Sequence, residues 1–314
     1  MRLLLLLALT FSTTHSQTPN WQPSAGHTQV PIWPHTPPDA IPVTGPEWTE
    51  LATGKDAVAG RPWLSINRVS TPTMTGYAPR QNTTGAAIIV FPGGGYQVLA
   101  IDLEGTEVCD WLTTHGITCV LLKYRVPGVA SFPKSGAYPK SPVALEDAQR
   151  TLSLVRQHAA EWHIDPHKIG VLGFSAGGHM VAAASVHFAR RIYQPVDAAD
   201  GISCRPDFAI ALYPGHLSLA DNSIALNPDI ASHITKQTPP TFLLQNENDH
   251  VDRVEDSLSY FMALKKAGVP AELHVYAEGG HAFGLRPTSQ PASRWPQLVE
   301  TWLQTIGITG PDSR

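Results

Sequence analysis

Among the 314 residues, the one best placed to do chemistry is Ser175, in the run Gly173-Phe174-Ser175-Ala176-Gly177. Gly-x-Ser-x-Gly alone is a weak motif, because glycine and serine are common. Its setting gives it weight. Ile169-Gly170-Val171-Leu172 before it reads as a buried strand, and Gly177 to Phe188 after it as a helix of small residues. A strand-to-helix turn this sharp requires small flanking residues and leaves the serine hydroxyl exposed at a helix N-terminus. A hydroxyl is a poor nucleophile until a base takes its proton. The run therefore predicts acyl transfer through Ser175, with a histidine base and an orienting acid further along the chain.

His281, in Glu278-Gly279-Gly280-His281-Ala282-Phe283-Gly284, is the candidate base. It follows the last strand pattern on a glycine-rich loop that can bring an imidazole over the sheet edge. His274 is the nearest competitor, but it falls inside a strand. His179, one helical turn past Ser175, is better suited to packing or lining a pocket. The acid is expected after the preceding strand, in Asn246-Glu247-Asn248-Asp249-His250-Val251-Asp252. Asp249 is chosen, and Asp252 and Glu247 remain rivals. Such an acid fixes the imidazole tautomer and stabilises the imidazolium. A tetrahedral intermediate also needs preorganised N–H donors. Pro92-Gly93-Gly94-Gly95-Tyr96 follows an early buried strand, and its glycines let backbone approach a substrate closely. The N–H groups of Gly94, Gly95 and Ala176 are the expected donors. A phosphate-binding loop is the rival reading, but neither a following Lys-Ser/Thr pair nor Gly-x-Gly-x-x-Gly spacing is present.

These residues need a scaffold of alternating strands and helices. Ala86 to Phe91, Ile117 to Tyr124, Lys168 to Gly173, Phe208 to Tyr213, Thr241 to Gln245 and Ala271 to Tyr276 read as strands, most of them continuous apolar runs. Helical spacing marks Glu104 to His115, Ser141 to Trp162, Gly177 to Phe188, Val254 to Ala267 and Ser293 to Thr305. Pro62 to Val69 and Thr73 to Tyr77 alternate with period two and predict a β-hairpin. The fold class that follows is α/β, a doubly wound and mostly parallel sheet with antiparallel N-terminal edge strands.

Residues 1–16 carry one positive charge, a short apolar run and small residues, the pattern of a secretory signal peptide. The apolar run is too short to span a bilayer. Residues 17–61, rich in Pro, Thr and Trp, read as an extended leader, and 62–314 as one catalytic domain. The signal implies a secreted or periplasmic protein. Net charge is −4, with no basic block, which argues against nucleic acid as a partner. No later segment is apolar enough to span a membrane. Cys109, Cys119 and Cys204 form no Cys-x-x-Cys pair, and no metal or organic cofactor is expected. Their odd number leaves at least one thiol unpaired or bonded to another molecule. The default reading treats all three as semi-buried apolar residues.

With these residues in hand, the chain resembles the acetyl-xylan esterase and feruloyl esterase branch of the α/β-hydrolases, which overlaps in pattern with lipase-like carboxylesterases. The resemblance is carried by Phe91 to Tyr96, Leu121-Leu122-Lys123-Tyr124-Arg125, Glu146-Asp147-Ala148-Gln149-Arg150, Gly173 to His179, and Ala277 to Arg286, and covers roughly residues 62 to 306. It implies an α/β-hydrolase fold, the triad Ser175, Asp249 and His281, and hydrolysis of acetyl or feruloyl esters on plant polysaccharide. Two departures stand out. Pro92 opens the glycine loop where many related lipases have His, and Asp252-Arg253 replaces the usual Val-Pro. An exopeptidase on the same fold would use the same triad, and a non-catalytic carbohydrate-binding relative would keep the fold without the chemistry. The loops 126–138 and 215–238 are candidate pocket walls.

Overall fold

Five strands are buried along their whole length, and they form the centre of the sheet. In the computed structural model, which describes residues 20–40, 42–81, 83–126, 141–219 and 224–310, the strands are β1 (Val30–Pro31), β2 (Trp48–Ala52), β3 (Trp63–Asn67), β4 (Thr73–Tyr77), β5 (Ala87–Phe91), β6 (Val98–Ala100), β7 (Thr118–Lys123), β8 (Ile169–Phe174), β9 (Ala209–Leu212), β10 (Thr241–Asn246) and β11 (Ala271–Tyr276). The helices are α1 (Glu107–Thr114), α2 (Pro142–Gln157), α3 (Ala176–Val186), α4 (Pro228–Ala231), α5 (Val254–Ala267) and α6 (Trp295–Thr305). The main sheet has eight strands in the order β1-β4-β7-β5-β8-β9-β10-β11. From β7 to β11 all pairings are parallel, and β4 and β1 join antiparallel at one edge. The predicted fold class is the observed one.

Every residue of β5 and β8 is buried. A parallel strand flanked by helices has no solvated face, so its sequence is apolar throughout instead of alternating. Helix α3 is buried along its whole length. Its Ala182-Ala183-Ala184 and its two leading glycines keep it thin enough to pack between the sheet and its neighbours. Helix α5 is punctuated as its sequence indicates. Glu255 and Asp256 occupy the first turn, Lys265 and Lys266 the last, and Gly268 ends it in the left-handed conformation at φ 75°. Among the described residues, no helix is long and apolar enough to cross a membrane.

Three sequence expectations are revised. The predicted hairpin of residues 62–69 and 73–77 does not form. Strand β3 pairs antiparallel with β2 and β6 in a separate three-stranded sheet, whereas β4 pairs with β1 and β7. Alternation encodes a half-buried strand but not its partner. Residues 20–61 carry more regular structure than the period-free sequence indicated, namely β1, β2 and a short turn of 3₁₀ helix at Gly54–Asp56. The cysteines are not three apolar fillers. Cys109 on α1 and Cys119 on β7 form a disulfide, and Cys204 is a buried free thiol. The expected signal segment and most of the candidate wall 126–138 lie outside the described residues.

Two of the sequence stretches that carry the resemblance meet across the edge of the sheet. Arg125 donates to Asp147 at 3.0 Å and to Glu146 at 2.7 Å. Asp147 also accepts from the indole of Trp33 at 2.8 Å and from the Arg125 backbone N–H at 2.9 Å. Both charged side chains are almost fully buried, Arg125 at 3% and Asp147 at 0% exposed. Removing one partner of such a pair leaves the other charged and unsatisfied, at a cost of about 3–5 kcal/mol. Asp147→Ala is therefore expected to lower unfolding stability by about that amount in urea titration, and a loss too small to resolve would refute this role.

Candidate active site

Ser175 stands between β8 and α3 at the centre of the sheet, beside β5 on one side and β9 on the other. Its backbone is at φ 52°, ψ −120°, a strained conformation for a residue with a side chain. Neighbouring backbone holds it there. The Ser175 N–H donates to Leu212 O at 3.0 Å, and its carbonyl accepts from His179 at 3.0 Å and Gly215 at 3.3 Å. A Cβ on Gly173 would come within 2.2 Å of the Gly177 carbonyl oxygen, and one on Gly177 within 2.0 Å of that of Phe91. The two glycines of the motif are thus required by close backbone approach.

The structure brings the distant candidates to this serine. His281 Nε2 lies 3.0 Å from Ser175 Oγ, and His281 Nδ1 lies 2.7 Å from Asp249 Oδ2. Asp249 is held in turn. Its Oδ1 accepts from the N–H groups of Val251 at 2.9 Å and Asp252 at 3.1 Å, and its Oδ2 from Gln245 Nε2 at 3.1 Å. The loop carrying His281 is tied to the same strand end. Asn248 Oδ1 accepts from Gly279 and Gly280, at 3.1 and 2.9 Å, and Asn246 Nδ2 donates to Gly280 O at 2.8 Å.

The rivals fall elsewhere. Glu247 is exposed. His274 pairs with Glu272 along its own strand at 2.7 Å. His179 is buried and hydrogen-bonds through Nδ1 to the Tyr96 hydroxyl at 2.7 Å, behind the glycine loop. Asp252 is nearby but on the other nitrogen. Its Oδ2 lies 3.0 Å from Ser175 Oγ and 3.6 Å from His281 Nε2. A carboxylate on the Nε2 side cannot fix the tautomer that leaves Nε2 free to take the serine proton.

Gly94, Gly95 and Ser175 line one cavity of about 310 Å³, walled further by Trp63, Leu103 and His216. Ala176 is the first residue of α3, where N–H groups have no partner within the helix. The small sheet builds part of this site. Trp63 is on β3, and β6 follows directly on the glycine loop. Of the expected walls, loop 215–238 contributes His216.

One residue here carries no sequence signal. Glu104 is fully buried beneath the loop, where its carboxylate accepts from Gly93 N–H at 2.7 Å and the Tyr213 hydroxyl at 2.9 Å. Tyr213 also accepts from Gly284 N–H at 3.1 Å, so one carboxylate links the glycine loop to the histidine loop. A glutamate in a helix pattern is ordinarily a solvated residue, and only the packing marks this one.

Burial pushes the carboxyls of Glu104 and Asp252 upward, Asp252 to about 6. Burial alone would lower His281, but its hydrogen bond to Asp249 and the charges of Asp252 and Asp249 outweigh that and raise it. Among the described residues, the one trio of side chains with ligating atoms within 4.8 Å is His187, Asp229 and His233, at the far end of α3 from Ser175.

A strained serine at the central strand end of a doubly wound sheet, facing a histidine and an aspartate from successive later loops, is the arrangement of the α/β-hydrolase class. Comparison with known proteins narrows it. A model of the BD-FAE family matches residues 75–211. Acetylxylan esterase of Xylanibacter ruminicola is 27% identical over 253 residues, covering 74% of this chain and 48% of that protein. Endo-1,4-beta-xylanase B of Butyrivibrio fibrisolvens is 30% identical over 225 residues, covering 67% of this chain and 34% of that protein. The chain thus spans about a third to a half of the length of these curated relatives. The crystal structure of an acetyl ester-xyloside bifunctional hydrolase from Caldicellulosiruptor lactoaceticus matches with a TM-score of 0.69 at 33% identity, covering 90% of this chain and 97% of that one. The chain belongs to the α/β-hydrolase esterase family.

The charges around His281 give a direct expectation. Followed by NMR of its ring protons, His281 is expected to titrate above the ordinary 6.5. Asp249→Asn removes a charge and weakens the hydrogen bond that favours the imidazolium, and Asp252→Asn removes a charge alone. Both should lower the midpoint, Asp249→Asn by more. The reverse order would show that the carboxylate roles are exchanged.

Proposed function

We propose that the protein is a serine carboxylesterase that removes short acyl groups, acetyl above all, from hydroxylated carbohydrate of plant-polysaccharide type. The observation that carries the reading is the hydrogen-bonded chain Ser175 Oγ to His281 Nε2 and His281 Nδ1 to Asp249 Oδ2, at 3.0 and 2.7 Å. His281 takes the Ser175 proton as Oγ bonds to the ester carbonyl carbon. The N–H groups of Gly94, Gly95 and Ala176 stabilise the oxyanion. The bond to the alcohol oxygen then breaks, and His281 returns the proton to it. Water, deprotonated by His281, attacks the acyl-Ser175, releasing the carboxylic acid and restoring the hydroxyl. Asp249 holds the imidazole throughout. The chemistry is complete without a metal or organic cofactor.

The names of the relatives, acetylxylan esterase and acetyl ester-xyloside hydrolase, support the substrate class. We further propose export directed by residues 1–16. The Cys109–Cys119 disulfide supports this, since such bonds persist in oxidising compartments.

Ser175→Ala should abolish hydrolysis of p-nitrophenyl acetate, lowering kcat by about 10⁴-fold or more while the circular-dichroism spectrum is retained. Near wild-type turnover would sink the mechanism. Asp249→Asn should cost about 10⁴-fold in kcat and Asp252→Asn much less, and a larger loss in the second would overturn the assignment of the acid. Product release from acetylated xylan, feruloylated arabinoxylan and p-nitrophenyl esters, measured in parallel, tests the substrate class. Acetate from xylan is expected to dominate, and preferential ferulate release would replace this reading.

A further inference from the structure

Asp252 is a buried carboxylate directed into the reaction centre, and the acyl-transfer scheme gives it no part. Its Oδ2 accepts from Ser175 Oγ at 3.0 Å and lies 3.6 Å from His281 Nε2. It lines the same cavity as Gly94 and Gly95. Its place is fixed rather than incidental. The Asp252 N–H donates to Asp249 Oδ1 at 3.1 Å, and its carbonyl accepts from Gln245 Nε2 at 2.7 Å. Space is reserved for the carboxylate, because a Cβ on Gly215 would come within 2.2 Å of Asp252 Oδ1.

The consequence follows the serine proton. In the free enzyme that hydroxyl has two acceptors within 3.0 Å, His281 Nε2 and Asp252 Oδ2. On attack the proton goes to His281, and Asp252 loses its donor. The His281 imidazolium, 3.6 Å away, offsets the Asp252 charge but offers it no hydrogen bond, and a buried acceptor left without a donor is costly. A substrate can remove that penalty by supplying a donor. The leaving alcohol oxygen must come within reach of His281 Nε2 to receive its proton. A hydroxyl on the adjacent carbon lies beside that oxygen and can reach Asp252, whose Oδ2 is 3.6 Å from Nε2 and lines the same cavity.

We propose that Asp252 is a specificity residue that accepts a hydrogen bond from the free hydroxyl neighbouring the scissile ester, so that the preferred substrates are monoesters of vicinal diols, as in partly acetylated sugars. This rests on the acyl-Ser175 reading above and deepens it. The contact is made fully only once Ser175 has given up its proton, so it discriminates in the transition state.

The test uses three substrates: a methyl xyloside monoacetate with a free neighbouring hydroxyl, the same compound with that hydroxyl O-methylated, and p-nitrophenyl acetate. Wild type should favour the free-hydroxyl ester over its O-methyl form by about tenfold or more in kcat/KM. Asp252→Val should bring that ratio close to one. Asp252→Asn keeps the shape with a weaker, neutral acceptor and should give an intermediate ratio, which decides the matter if the valine variant does not fold. No preference in wild type, or the same ratio in wild type and Asp252→Asn, would overturn the proposal. If wild type hydrolyses none of the three, p-nitrophenyl acetate included, the esterase reading itself fails, which is a separate result.

Discussion

Everything in the site depends on one strained turn. Ser175 holds a positive φ because β8 delivers it from the middle of the sheet and α3 leaves at once. The turn is clamped by the N–H bond to Leu212 and by backbone packed against Gly173 and Gly177. A conformation that costs of order 1–3 kcal/mol persists only where its surroundings over-determine it. Here the surroundings are a strand buried on both faces and a helix of small residues buried throughout. The same requirement accounts for the sequence around the turn, because larger residues at 173 or 177 would meet main-chain atoms that cannot yield.

A second constraint concerns charge. Three carboxylates, Asp249, Asp252 and Glu104, surround one imidazole, and each is held differently. Asp249 accepts from two backbone N–H groups and Gln245 and faces Nδ1. Asp252 faces Nε2 and the serine. Glu104 is enclosed by Gly93 and Tyr213. Asp249, the best supplied by donors and the one facing Nδ1, is the natural partner of that ring N–H. The loops meet through Asn246 and Asn248, which bind the histidine loop by its glycine backbone.

The N-terminal part of the chain serves this site as well. Trp33 donates to Asp147, which anchors Arg125 after β7. Strands β2 and β3 assemble with β6, the strand that follows the glycine loop, and Trp63 becomes part of the cavity wall. The disulfide between α1 and β7 fastens the helix that follows Glu104 to the sheet.

The sequence by itself was enough for the parallel sheet, its helices, and the serine and histidine that meet at its edge. Apolar runs of strand length, helical spacing and a glycine-flanked serine are local properties, and Val254–Ala267 and Ala271–Tyr276 fall where their patterns put them. Partnership was not legible. Alternation in Trp63–Asn67 and Thr73–Tyr77 marked two strands, but their partners come from distant segments. Cys109 and Cys119 meet only because α1 folds back along β7. Asp249 and Asp252 have equivalent claims in the chain, and the turn after β10 alone sends one to Nδ1 and the other to Nε2. Glu104 gave no signal, since its burial is created by the loop above it. Element type and residue chemistry are encoded within a few neighbouring residues, whereas pairing, burial and the side of a ring that a carboxylate faces arise from contacts between segments far apart in the chain.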